Sequence, residues 1–202
     1  MLCNYLLLLS MIETLKTIDR FLLLKINSLH NPLLDDVMWF FSYTWPTVII
    51  VLAVAYAIYR KYYAKKAVEF LVGCAILFAC TDLSSNTVKH LVERYRPTHN
   101  LEIKDQIHVV NNYRGGKFTF FSGHSANTFG LITFIFFCIK WLPIKLKILL
   151  FIYPLLVVYS RMYLGVHYPS DIFTGWLVGV FFGWLIYQLM NKHFLKFDEQ
   201  KI

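Results

Sequence analysis

Residues 172–190 read IFTGWLVGVFFGWLIYQLM, a run without Asp, Glu, Lys or Arg. An α-helix needs roughly 20 mostly apolar residues to cross a bilayer, and this run supplies them. Upstream, 37–59 and 118–139 are equally free of those charges. Residues 148–164 are interrupted only by Arg161, and 67–88 carry Glu69 and Asp82. The pattern predicts five spans in an all-α integral membrane protein, a helical bundle of five to six transmembrane helices.

Composition agrees. Of the 202 residues 57% are apolar and 16% charged, against roughly 25% charged in a soluble domain. Mean hydropathy is +0.52. These values exclude a disordered chain, a nucleic-acid module and most soluble enzymes. Aromatics reach 18%, and Trp39, Trp45, Trp141 and Trp176 suit interfacial belts. The net charge of +8 favours anionic lipids or anionic substrates as partners. Cys3, Cys74, Cys80 and Cys138 show no CxxC spacing, so they read as small hydrophobes rather than a disulfide or zinc framework.

The chain reads as one membrane-embedded domain over 1–202. Within 12–30, Ile12, Leu15, Ile18, Leu22, Ile26 and Leu29 recur at helical spacing among Glu13, Lys16, Asp19, Arg20 and Lys25. That predicts an N-terminal amphipathic helix on the membrane surface. With the apolar residues before it, the segment could also form a short sixth span.

Short loops set the orientation. Arg60, Lys61, Lys65 and Lys66, then Lys140, Lys145 and Lys147, then Lys192, Lys196 and Lys201 fall on one side. By the positive-inside rule that side is cytoplasmic. The opposite face then carries the long 89–117 loop, the start of the third span and the turn 165–171.

Polar chemistry concentrates there. The first segment is KHLVERYRP, from Lys89 to Pro97. The second is FSGH, from Phe121 to His124. The third is SRMYLGVHYPSD, from Ser160 to Asp171. The order and spacing resemble the type 2 phosphatidic acid phosphatase superfamily, which includes the vanadium haloperoxidases. Its pattern is K-x6-RP, PSGH and SR-x5-H-x3-D. The first and third motifs match at every defining position, and the second departs once, with Phe121 for Pro. Three motifs in order are far more specific than one.

The residue types suit phosphate chemistry. Lys89, Arg96 and Arg161 are three cations able to converge on a phosphate and on the charge that spreads in its transition state. Ser122 and Gly123 open a helix, where N–H groups and the dipole form an anion cradle. His167 precedes Asp171 by one helical turn, so the carboxylate is expected to fix the imidazole tautomer. The resemblance implies that His167 attacks phosphorus. It implies that His124 protonates the leaving oxygen and later activates water. The cations stand where a metal would, so no metal or other cofactor is expected. The expected fold is the family's helical core.

Each residue alone has an ordinary reading. Lys89 could be an interfacial anchor, Arg161 a snorkelling cation, Pro97 and Pro169 turn residues. Asp82, Ser85 and Lys89 share a helical face, so Asp82 could hold Lys89. Gly175, Gly179 and Gly183 form a doubled GxxxG pattern, which reads as packing inside the chain and also allows a homo-oligomer face. Tyr113, Arg114 and Lys117 could touch a head group or anchor the interface.

The resemblance implies a membrane lipid phosphatase. Its substrate classes are undecaprenyl diphosphate, phosphatidylglycerophosphate, phosphatidic acid and lipid A. A lipid phosphotransferase and a non-catalytic lipid-phosphate binder are the rival readings. The implied location is the bacterial cytoplasmic membrane, with the site facing the periplasm.

Overall fold

The computed structural model describes residues 2–195. Among them the chain is helical, with no strand beyond a single bridge between Tyr95 and Phe118. The helices are α1 (Leu2–Asn27), α2 (Pro32–Ser42), α3 (Trp45–Tyr62), α4 (Ala64–Val92), α5 (Gly123–Cys138), α6 (Ile144–Leu149), α7 (Ile152–Tyr163) and α8 (Pro169–Met190).

Two of these, α4 and α8, are alone long and apolar enough to cross a membrane. The span expected at 37–59 is broken: α2 and α3 meet at an angle of 51°. Pro46 lies in the first turn of α3 and removes a backbone donor where the helix must restart. The span expected at 118–139 begins only at Gly123, because Ser122 caps it. The span expected at 148–164 is divided between α6 and α7. The amphipathic helix expected at 12–30 belongs to the longer α1, which packs on α7 and α8.

α5 is the central helix. Leu131, Ile132, Phe134 and Ile135 are all fully buried on it, as expected for a helix apolar all round and enclosed by α4, α7 and α8. The α5–α8 seam is set by Gly175, Gly179 and Gly183. A Cβ on Gly179 would lie 2.3 Å from the Ala126 carbonyl oxygen, and one on Gly183 2.4 Å from that of Gly130. These glycines are therefore spent on packing within the chain. The homo-oligomer face that the sequence allowed is not available through them, since α5 covers it.

That close approach places the site. With the helices in contact, the Ser122 N–H donates to the Asp171 carbonyl at 3.0 Å, and Ser125 Oγ donates to the Ile172 carbonyl at 2.8 Å. The start of α5 is thereby locked to the start of α8. The loop between α4 and α5 folds over this end through three short 3₁₀ turns. Asn27 pins it, donating to the carbonyls of Tyr163 (2.7 Å) and His108 (3.0 Å) and accepting the His108 N–H at 2.8 Å.

Candidate active site

At this end a cavity of about 550 Å³ opens between α3, α4, α5 and α7. Lys89, Arg96, Arg161, Gly123, His124 and His167 all reach its wall. Residues up to 78 positions apart thus converge from all three motifs. Asp171 and Ser122 do not reach it.

The two arginines are held by neutral groups. Arg96 donates from Nε to the Phe118 carbonyl (3.1 Å) and from Nη1 to that of Val166 (3.4 Å). Gly115 has φ +67°, and a Cβ on it would sit 2.7 Å from Arg96 Nη1, so glycine is needed there twice over. Arg161 is 1% exposed. Its Nη2 donates to the Tyr113 hydroxyl at 2.9 Å, and its Nε has no partner. Lys89 Nζ lies over the start of α5, 3.7 Å from where a Gly123 Cβ would stand. Among the described residues, no carboxylate is ion-paired with any of the three. Burial first, and the Arg161 guanidinium second, push Arg96 down to about 10, still charged at neutral pH.

Three like charges brought together out of water are costly unless an anion joins them. The unpartnered Arg161 Nε is a donor waiting for an acceptor. Gly123 and His124, the first two residues of α5, add N–H groups that have no acceptor within a helix.

Ser122 departs from expectation. It is fully buried, its N–H is taken by Asp171, and its hydroxyl oxygen accepts the Ser125 N–H at 3.4 Å. It caps α5 behind the cavity wall, and the cradle shifts one residue on, to Gly123 and His124. Phe121 is also buried, and its carbonyl accepts from Ser85 Oγ at 3.2 Å.

The His167–Asp171 pair departs too. α8 starts at Pro169, so His167 lies in the preceding turn rather than one helical turn from Asp171. Its Nδ1 is 3.7 Å from Asp171 Oδ2, beyond hydrogen-bond reach. Thr119 fills the gap: its Oγ1 donates to Asp171 Oδ2 at 2.5 Å and lies 2.9 Å from His167 Nδ1. With the hydroxyl donating to the carboxylate, Thr119 Oγ1 accepts a hydrogen bond from Nδ1–H, and Nε2 is left for the cavity. Burial, then the charges of Arg96, Arg161 and Lys89, push His167 well below its ordinary value, so it is neutral at pH 7.

Asp171 is completed from behind. Its Oδ2 accepts the Tyr168 N–H at 2.8 Å, and its Oδ1 accepts Arg94 Nη1 at 2.8 Å. Arg94 reaches on to Asp19 of α1 at 2.8 Å and stacks 4.0 Å from the Tyr168 ring centroid. Asp19 also accepts from the Ser170 backbone N–H at 2.9 Å and from its hydroxyl.

Tyr113 reaches the cavity, whereas Lys117 lies over the Tyr95 and Phe118 rings and Arg114 bonds the Thr98 carbonyl. Asp82 does not pair with Lys89; its Oδ1 accepts from Asn127 Nδ2 at 2.9 Å. Among the described residues no group of three or more His, Cys, Asp or Glu is placed to hold a metal.

A helical membrane bundle with three cations and two imidazoles around one cavity defines a membrane-embedded phosphatase. The chain belongs to the PAP2 superfamily, whose model matches residues 66–195. It is 36% identical over 186 residues to the lipid A 4'-phosphatase of Bacteroides thetaiotaomicron, covering 90% of this chain and 81% of that one. The lipid A 4'-phosphatase of Porphyromonas gingivalis is 34% identical over 181 residues, 88% of this chain and 75% of that protein. In fold the chain is similar to the transmembrane PAP2 type phosphatidylglycerolphosphate phosphatase from Bacillus subtilis. The TM-score is 0.69 at 23% identity, over 95% of this chain and 94% of that one.

Proposed function

We propose that the chain hydrolyses a phosphate monoester on a lipid of the lipid A class through a phosphohistidine on His167. The observation that carries the chemistry is the convergence of three unpaired cations and two histidines on one cavity. The choice of lipid rests on the two relatives above, each named for lipid A and each matched over most of its length.

Lys89, Arg96 and Arg161 hold the phosphate oxygens, with the Gly123 and His124 N–H groups completing the cradle. Arg binds as a planar fork and Lys as a point charge. His167 Nε2 attacks phosphorus while Thr119 holds Nδ1 and its proton. The bond from phosphorus to the sugar oxygen breaks, and His124 gives that oxygen a proton. Water then attacks the phosphohistidine, losing a proton to His124. Inorganic phosphate leaves, and both imidazoles return to their starting states. The transition-state charge falls among fixed cations, so no metal is required in this scheme.

Val48 and Leu52 of α3, both exposed, line the apolar side of the cavity. A lipid tail can lie along them while the phosphate reaches the cations. In this reading the end faces the periplasm from a bacterial cytoplasmic membrane, and the basic short loops support that orientation.

The test is phosphate release by purified protein in detergent from lipid A, undecaprenyl diphosphate, phosphatidylglycerophosphate and phosphatidic acid. Lipid A is expected to give the highest kcat/KM. Turnover of the other three with none of lipid A would overturn the substrate assignment.

A further inference from the structure

One part of the cavity has no role in the scheme above. On α4, Asp82 lies seven residues before Lys89, about 10 Å along the helix axis at ~1.5 Å per residue. It is exposed and lines the same cavity. An intramembrane carboxylate is expensive and needs a partner or a purpose. Its Oδ1 accepts from Asn127 Nδ2 (2.9 Å), while Asn127 Oδ1 is taken by Thr81 Oγ1 (2.5 Å). Among the described residues Asn127 Nδ2 is the one donor bonded to Asp82, and no ion pair includes Asp82. Asn127 and Thr81 hold the carboxylate in place and leave its free oxygen to the cavity.

We propose that Asp82, held by Asn127, is a subsite that accepts hydrogen bonds from hydroxyl or amide N–H groups of the substrate's head group. This rests on the reading above that the cavity binds a phosphorylated lipid. An ionised carboxylate only accepts, so the ligand must donate. A phosphorylated amino sugar with amide-linked hydroxyacyl chains carries such donors beside its phosphate. Phosphatidic acid, with ester carbonyls near its phosphate, carries none. The subsite therefore selects an acylated amino sugar over a glycerolipid, which on binding shields the Asp82 oxygen from water without offering it a donor.

The experiment compares kcat/KM for 4'-phosphorylated lipid A with that for phosphatidic acid, in the full chain and in Asp82→Leu. Leucine is well accommodated in a membrane helix, and Asp82→Ala gives the same test with a smaller side chain. The ratio of the two kcat/KM values is expected to fall about tenfold or more, the loss of a hydrogen bond to a charged group. Asp82→Asn, which keeps an acceptor oxygen, should hold the ratio within about threefold of the parent. A ratio unchanged in Asp82→Leu and Asp82→Ala, whether both rates fall together or neither falls, overturns the subsite. No lipid A turnover by the unmodified chain would instead overturn the substrate assignment beneath it.

Discussion

Thr119 stands between His167 and Asp171. Its hydroxyl donates to Asp171 Oδ2 at 2.5 Å and lies 2.9 Å from His167 Nδ1, while the carboxylate itself is 3.7 Å from that nitrogen. The group that orients the proposed nucleophile is therefore a hydroxyl, polarised by a buried carboxylate that Arg94 and the Tyr168 N–H also hold.

Removing that hydroxyl should slow the chemical step. In Thr119→Val we expect kcat to fall by about 10- to 100-fold, since a hydrogen bond to a charged group contributes roughly 1.5–3 kcal/mol. KM should change little, because Thr119 does not line the cavity. Thr119→Ser should recover most of kcat. A KM effect with kcat intact, or no rescue by Ser, would mean that Thr119 acts only in packing.

The seam between α5 and α8 makes a separate demand. A Cβ at residue 179 meets the backbone oxygen of Ala126 at 2.3 Å, and backbone cannot swing aside as a side-chain tip can. Gly179→Ala is expected to destabilise the protein by about 1–3 kcal/mol, the usual cost of overpacking. It should also lower activity by shifting Ser122 from Asp171. Thermal unfolding in detergent checks the first expectation; an unchanged midpoint would show that the helices separate without cost.

The environment of His167 fixes a pH dependence. Its folded-state value is lowered from 6.5 by burial and then by Arg96, Arg161 and Lys89. Between the lowered value and 6.5 the unfolded chain binds the extra proton and the folded chain does not. This group's contribution to stability is therefore whole above pH 6.5 and declines as pH falls below it. In ¹³C-histidine spectra, assigned by loss of the signal in His167→Gln, residue 167 should remain neutral at pH 6. A midpoint at or above 6.5 would contradict the electrostatics described.

The proposed charge neutralisation by Lys89, Arg96 and Arg161 implies turnover without a divalent cation. Phosphate release is expected to continue in excess EDTA. Loss of activity restored by Mg²⁺ would show that these side chains do not suffice.

Much of this was legible in the sequence because charges stand out against an apolar chain. Lys89, Arg161 and His124 break the hydropathy pattern near span ends, Arg96 and His167 lie in the adjoining loop and turn, and all five meet at one cavity. Thr119 gave no such signal: a threonine in a loop is ordinary, and its partners lie 48 and 52 residues away. Arg94 was one more cation in a basic stretch, and its link to Asp19 spans 75 positions. A hint existed in Asp19, a carboxylate set among Leu15, Ile18 and Leu22 on an otherwise apolar face. Pro169 carried another, since proline favours the first turn of a helix and so places His167 outside it. The break between α2 and α3 was hidden because Tyr43, Thr44 and Pro46 cost little hydropathy while ending the helix.

The proposed chemistry stands or falls with His167 as the nucleophile. The most direct measurement is phosphate release from lipid A by His167→Ala, in protein shown to be monodisperse and helical in detergent. Turnover is expected to fall to the background rate, with no ³²P retained on the denatured variant, whereas the parent chain retains acid-labile ³²P at residue 167. Turnover by His167→Ala within about tenfold of the parent, a barrier change of only ~1.4 kcal/mol, would contradict it.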